Sequence, residues 1–198
     1  MKILLSELKT SLLLTLVFAL LLCGAYPLAV WAGAQALFAD QANGSLITDK
    51  DGTVRGSVLL GQNFTSAKYF QPRPSAAGTG YDPTSSSGTN LGPTSQKLND
   101  GIKSAVAAYR SANGLAADAA VPADAVTSSG SGLDPHISPA NARLQAARVA
   151  KVRGLPLVQV DALVTQATRG RDWGVLGEPA VNVLRLNLAL DRLVPARP

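Results

Sequence analysis

Hydrophobic and polar positions divide this chain into two unequal parts. From Thr10 to Ala39 no side chain is charged, and Leu12 to Val30 is almost wholly apolar. A helix rises about 1.5 Å per residue, so roughly 20 such residues cross the hydrocarbon core of a bilayer. No polar face interrupts the run, as one would in the core helix of a soluble protein. The pattern predicts a transmembrane anchor at residues 10–39 behind a short tail at residues 1–9. Tyr26 and Trp31 suit a water interface, and Pro27 is expected to bend the helix near its end. Ala32-Gly33-Ala34 is an A-x-A pattern of the kind found at signal-peptide cleavage sites. Signal peptides have apolar regions of only about 7–15 residues, however, so an uncleaved single-pass anchor is the reading.

Residues 40–198 alternate turn signals with short periodic segments. Leu46-Ile47 and Val54–Leu60 read as strands between Asn43-Gly44, Asp51-Gly52 and Gly61. Pro72 and Pro74 deny Tyr69–Pro74 a regular element. Ser75–Thr94 is rich in Gly, Ser, Pro and Thr and has the composition of a flexible linker, although Tyr81, Asp82, Asn90 and Leu91 make it less bland than a spacer. A helix is predicted from a Thr94 or Ser95 cap to about Ala112, with Leu98, Ile102, Ala105, Val106 and Tyr109 on one face. Ala125–Ser128 is a strand candidate, and Ser138-Pro139 should start a helix that ends at Gly154. Leu157–Arg169 carries helical spacing, while Val181–Leu193 mixes strand alternation with a mainly helical pattern capped by Asn182. The fold class is therefore α/β or α+β: one anchor, then a single mixed domain with a small sheet and about four helices.

Charge sets the expected orientation. Lys2 and Lys9 outweigh Glu7 before the anchor, and Asp40 opens the other flank. Cytoplasmic flanks favour Lys and Arg, which puts the N-terminus inside and the domain outside. The net charge is +5, with Arg143, Arg148, Lys151, Arg153, Arg169 and Arg171 clustered late, and a solvated helix face explains them best. No nucleic-acid signature accompanies them. Cys23 is the only cysteine and His136 the only histidine, so the domain has no internal disulfide and no zinc site of three or four protein ligands is expected.

One stretch holds the candidate chemistry, Ser129–Pro139, reading SGSGLDPHISP. Ser129, Ser131, Asp134 and His136 invite a hydrolase reading, with Ser131 as nucleophile and His136 as base. A triad needs side chains gathered from separate segments around an oxyanion hole, and four residues within eight positions do not face one another readily. The favoured reading is a structural and docking loop made by Gly130, Ser131, Gly132, Asp134, Pro135 and His136, with both glycines supplying unusual backbone angles. The helix start after Ser138 is a further place where an anion could sit. No GxxxxGK[ST] motif is present.

Several blocks together carry a family resemblance: VRGSVLLGQNF (Val54–Phe64), YFQPRPSA (Tyr69–Ala76), SGTNLGPTS (Ser87–Ser95), VTSSGSGLDPHISPANA (Val126–Ala142) and GEPAVNVLRLNLALD (Gly177–Asp191). In this order, behind one anchor, the chain resembles the C subunit of the Kdp-type potassium-transporting ATPase, a bacterial inner-membrane complex. The resemblance implies a non-catalytic accessory subunit without a cofactor of its own. Its implied partners are a P-type ATPase subunit that handles ATP, a channel-like potassium-binding subunit, a small membrane peptide and membrane lipid. It also implies a role in raising ATP affinity, with Gln62 as a proposed nucleotide contact. A domain outside the membrane cannot meet cytoplasmic ATP, so the charge argument favours a place at the outer potassium entrance instead.

Overall fold

A computed structural model describes residues 1–193, which fall into two units divided between Leu46 and Ile47. In the first, α1 (Lys2–Ala19) and α2 (Tyr26–Leu37) are joined by a π-helical turn, Leu20–Ala25. Together they make one apolar helix of 36 residues, long enough to cross a membrane. Residues 2–9 are helical and continuous with this helix. The π turn has a local cause. Pro27 lacks an N–H and its ring crowds the carbonyl four residues back, and widening the helix just ahead of it relieves both. Thr10 and Thr15 donate their hydroxyls to the Ser6 and Ser11 carbonyls, so neither hydroxyl is left unpaired on this apolar helix. A single turn, α3 (Ala39–Ala42), follows.

The second unit is mixed. β1 (Leu46–Thr48) and β2 (Val54–Ser57) form a hairpin. β2 stops at Ser57 rather than running to Leu60, because the Ser57 hydroxyl accepts the Leu59 N–H and turns the chain. α4 (Gln96–Asn113) starts at Ser95, whose hydroxyl accepts the Leu98 N–H, and stops at Gly114 with φ +64°. Where a strand at Ala125–Ser128 was expected, a 3-10 turn spans Ala123–Ala125. β3 (His136–Ile137) leads into α5 (Pro139–Arg153), capped by Ser138 and ended by Gly154. α6 (Leu157–Ala167) is two residues shorter than its pattern, since Thr168–Arg169 extends as β4. β5 (Ala180–Asn182) and α7 (Val183–Leu193) divide the ambiguous last segment, and Asn182 caps α7 by accepting the Arg185 N–H.

The sheet order is β3-β5-β4, antiparallel throughout, with Val181 opposite both Ile137 and Thr168. Ile137, Val149, Val160, Val164, Val181, Leu186 and Leu190 close one core between sheet and helices. Each such side chain contributes about 1.5–3 kcal/mol on burial.

Through this core runs a segment, residues 67–73, that turns at residues 67–69 and belongs to no sheet. Phe70 is fully buried, so its backbone polar groups need partners. Side chains supply them. Asn187 accepts the Phe70 N–H and donates to its carbonyl, both at 2.9 Å. Gln145 does the same for Gln71, at 2.7 and 3.0 Å. Arg148 donates to the carbonyls of Ala67 and Tyr69, and Arg153 to that of Lys68. Pro72 and Pro74 have no N–H to satisfy. Two amides and two guanidiniums thus replace a neighbouring strand.

Candidate functional site

The loop Ser129–Pro139 is fastened to four distant places in the chain. Arg73, at the end of the clamped stretch, pairs with Asp134 at 2.9 Å. Ser75 donates to the Gly132 carbonyl at 2.6 Å, and the Ser86 hydroxyl and Ser87 N–H both reach the Ser131 carbonyl at 3.0 Å. Gly61 donates its N–H to Leu133, and Val183 donates to Pro135. The stretch with linker composition therefore packs as part of the site, and Ala77 within it is fully buried. The Tyr81 hydroxyl closes it by donating to the Arg73 carbonyl.

The two loop glycines differ. Gly132 has φ +68°, whereas Gly130 has no positive φ and open space around it. Only Gly132 meets the expectation of an unusual backbone angle.

Asp134 is the electrostatic centre. Burial alone would raise its carboxyl pKa, but hydrogen bonds from the His136 ring and backbone N–H, with Arg73 alongside, outweigh that and hold it below the ordinary 3.8. A depressed carboxyl stabilises the fold above its unfolded pKa and loses that contribution as pH falls through the folded value. Acid denaturation below pH 3.8 should therefore include this group. Asp134→Asn is expected to flatten the fall of unfolding free energy with acid, measured by denaturant titration at stepped pH. An unchanged slope would show that Asp134 is not coupled to folding.

His136 is 3.3 Å from Asp134 through Nδ1, with its side chain 40% exposed. Ser131 instead caps the Leu133 N–H at 3.1 Å and lies 3.3 Å from the Ser129 hydroxyl. Ser131 and His136 share no hydrogen bond among the described residues, and the hydrolase reading gains no support from this geometry. The start of α5 already holds an anion, because Asp124 accepts from the Ser138 N–H, the Ser138 hydroxyl and Asn141 at 2.7–3.0 Å. That internal carboxylate takes the position proposed for an external anion. Gln62 is half-buried and donates its amide to the Arg55 carbonyl at 3.1 Å.

The late basic residues form no single face. Arg148 is buried in the clamp, Arg153 pairs with Asp191 at 2.7 Å, and Arg169 and Arg171 pair with Asp172 and Glu178. Arg143 and Lys151 alone among the six face solvent unpaired. Burial lowers the pKa of Arg148 from its usual value. Beside the clamp lies a cleft of about 530 Å3 bordered by Arg73, Tyr81, Tyr109 and Gln145. Burial pushes Tyr81 up to about 12 and raises Tyr109 also, so both remain neutral donors.

Sequence reasoning missed Arg73, Ser75, Ser87 and Gly61 as parts of this site. Their positions in the VRGSVLLGQNF, YFQPRPSA and SGTNLGPTS blocks were the only signal.

Comparison with known proteins places this architecture. A family described as "K+-transporting ATPase, c chain" matches residues 8–192. The potassium-transporting ATPase KdpC subunit of Mycobacterium bovis is 56% identical over 187 residues, covering 94% of this chain and 98% of that protein. Its counterpart in Rhodospirillum rubrum is 55% identical over 191 residues, covering 96% and 98%. The one in Caulobacter vibrioides is 53% identical over 191 residues, covering 96% and 95%. With the match running from within the first helix into the last turn of α7, this chain belongs to the KdpC family, the c chain of the K+-transporting ATPase.

Proposed function

We propose that this chain is the non-catalytic accessory subunit of an ATP-driven potassium uptake pump in a bacterial inner membrane, its soluble unit outside. The observation that carries this reading is how the loop's polar groups are used. Asp134 is held between Arg73 and His136, and Asp124 sits on the start of α5, so the charged groups maintain a rigid surface rather than await a substrate. Lys2 and Lys9 ahead of the apolar helix support an N-terminus in the cytoplasm. On that side assignment the soluble unit steadies the assembly at the outer entrance of the channel-like subunit. ATP and potassium are handled by the partners. Raising the ATPase subunit's affinity for ATP through Gln62 is the rival role, and it requires the opposite orientation.

One set of preparations tests role and side together. Pump complexes assembled without this chain should lose potassium-stimulated ATP hydrolysis, and unchanged stimulation would defeat the accessory role. In a Cys23→Ser background, Ser86→Cys and Ser111→Cys should react with a membrane-impermeant thiol reagent on intact spheroplasts. Reaction only after permeabilisation would put the domain inside and favour the contact at Gln62.

A further inference from the structure

The periodicity that predicts α4 puts Leu98, Ile102, Ala105, Val106 and Tyr109 on one face, yet only Tyr109 is buried. A second cleft, of about 510 Å3, lies against the uncovered part. Leu98, Ile102 and Ala105 border it together with Pro74, Leu91 and Val126. It adjoins the cleft beside the clamp, since the two share Pro74, Ser75 and Ala105. Gly101 widens it, because a Cβ there would meet nothing within 4 Å. Folded interiors hold few voids larger than a water molecule, and small-molecule sites occupy about 300–1,000 Å3. Polar groups complete the lining. Lys97 borders the cleft, is exposed, and has no carboxylate partner among the described residues, while nearby Asp100 is held by Gln96 and Lys103. The hydroxyls of Thr89 and Ser128, on the same cleft, bond to nothing else among the described residues.

We propose that this cleft binds one long acyl chain whose anionic head, a carboxylate or a phosphate ester, meets Lys97 and the hydroxyls of Thr89 and Ser128. The charge complement is direct: an ammonium with two free hydroxyls suits an oxyanion. The rest of the lining is aliphatic, with no aromatic face, and suits methylenes, which need no hydrogen-bond partner. A peptide would need partners for its backbone. No strand borders the cleft, and the Thr127 and Ser128 carbonyls on its wall already accept from Arg73. Length agrees as well. The two adjoining clefts follow α4 from Lys97 to Ala112, about 22 Å at the helical rise, the reach of an extended fatty acyl chain. On the membrane-anchored reading proposed above, such lipid is close at hand.

The test is photolabelling of the full chain in phosphatidylcholine nanodiscs with a palmitate that carries a diazirine on its chain. Entry of the chain into the discs reports the anchor by itself, separately from the cleft. Adducts mapped by mass spectrometry should fall on α4 between Leu98 and Ala112 and beside Val126. Gly101→Leu fills the cleft and raises helix propensity, so it should abolish those adducts without lowering the denaturation midpoint. Lys97→Glu, at an exposed position, should weaken labelling by palmitate about fivefold, the upper scale of an exposed ion pair, and leave labelling by the matching neutral alcohol unchanged. Unlabelled palmitate and lysophosphatidylglycerol, compared as competitors, separate a carboxylate from a phosphate ester, and displacement by either supports the site. Adducts confined to the apolar helix at residues 10–37, or undiminished in Gly101→Leu, would overturn it. Equal effects of Lys97→Glu on acid and alcohol would overturn the anionic head.

Discussion

Asn187→Ala should destabilise the soluble unit by about 2–5 kcal/mol, because it strands two buried backbone groups at once. Asn187 is 1% exposed and Phe70 is fully buried, so neither the Phe70 N–H nor its carbonyl has water to turn to. Each orphaned group costs about 1–3 kcal/mol, more than the net gain from an ordinary hydrogen bond, because its desolvation is no longer offset. Nothing else is placed to step in. The next side chain along, Gln145, is already committed to both polar groups of Gln71. The change reads out as a lower denaturation midpoint for the full chain, and as faster hydrogen exchange at the Phe70 amide. Arg171→Ala is the matched control, since its partner Glu178 is 78% exposed and such pairs contribute about 0–1 kcal/mol. If Asn187→Ala behaved like that control, the side-chain clamp would not be what holds the segment.

The clamp also marks where the sequence stops being readable. Helix ends were legible because their signals are local: Ser95 caps α4, Ser138-Pro139 opens α5, and Gly114 and Gly154 close them in left-handed geometry. The long apolar helix was legible from length and apolarity alone. Asn187 and Gln145, by contrast, act on residues 117 and 74 positions away, and an amide in a helical pattern gives no sign of a distant partner. The same blindness left Ser75–Thr94 with only the composition of a flexible linker to read. Its order comes from hydrogen bonds to Gly132 and Ser131, more than forty residues on. The strand expected at Ala125–Ser128 failed for a related reason. Asp124 is drawn to Ser138 and Asn141, and the chain turns there. Arg148 and Arg153 looked like surface charge because burial of a guanidinium depends on carbonyls that only the fold brings near.

Gly132→Val should be as damaging as the clamp mutation, on the order of 3–5 kcal/mol, from two costs that add at one atom. The first is conformational. At φ +68° a β-branched residue is strained by about 1–3 kcal/mol. The second is steric. A Cβ there would lie 2.6 Å from the Ser87 carbonyl oxygen, 2.7 Å from the Ala77 nitrogen and 2.9 Å from the Ala77 Cβ. Two of those three neighbours are backbone, which cannot swing aside as a flexible side chain would, so overpacking adds about 1–3 kcal/mol. Relief would require Ser87 or Ala77 to move, and both belong to the stretch that Ser75 and Ser86 fasten to this loop. The damage should therefore spread: residues 75–94 lose protection from proteolysis together with the loop. Gly132→Ala already carries the Cβ and the positive φ, and should show most of the loss. Gly130→Ala, two residues away with nothing within 4 Å of its Cβ, should stay within about 0.5 kcal/mol of the unaltered chain. Equal denaturation midpoints for Gly132→Val and Gly130→Ala would mean that the loop is not pinned against Ala77 and Ser87.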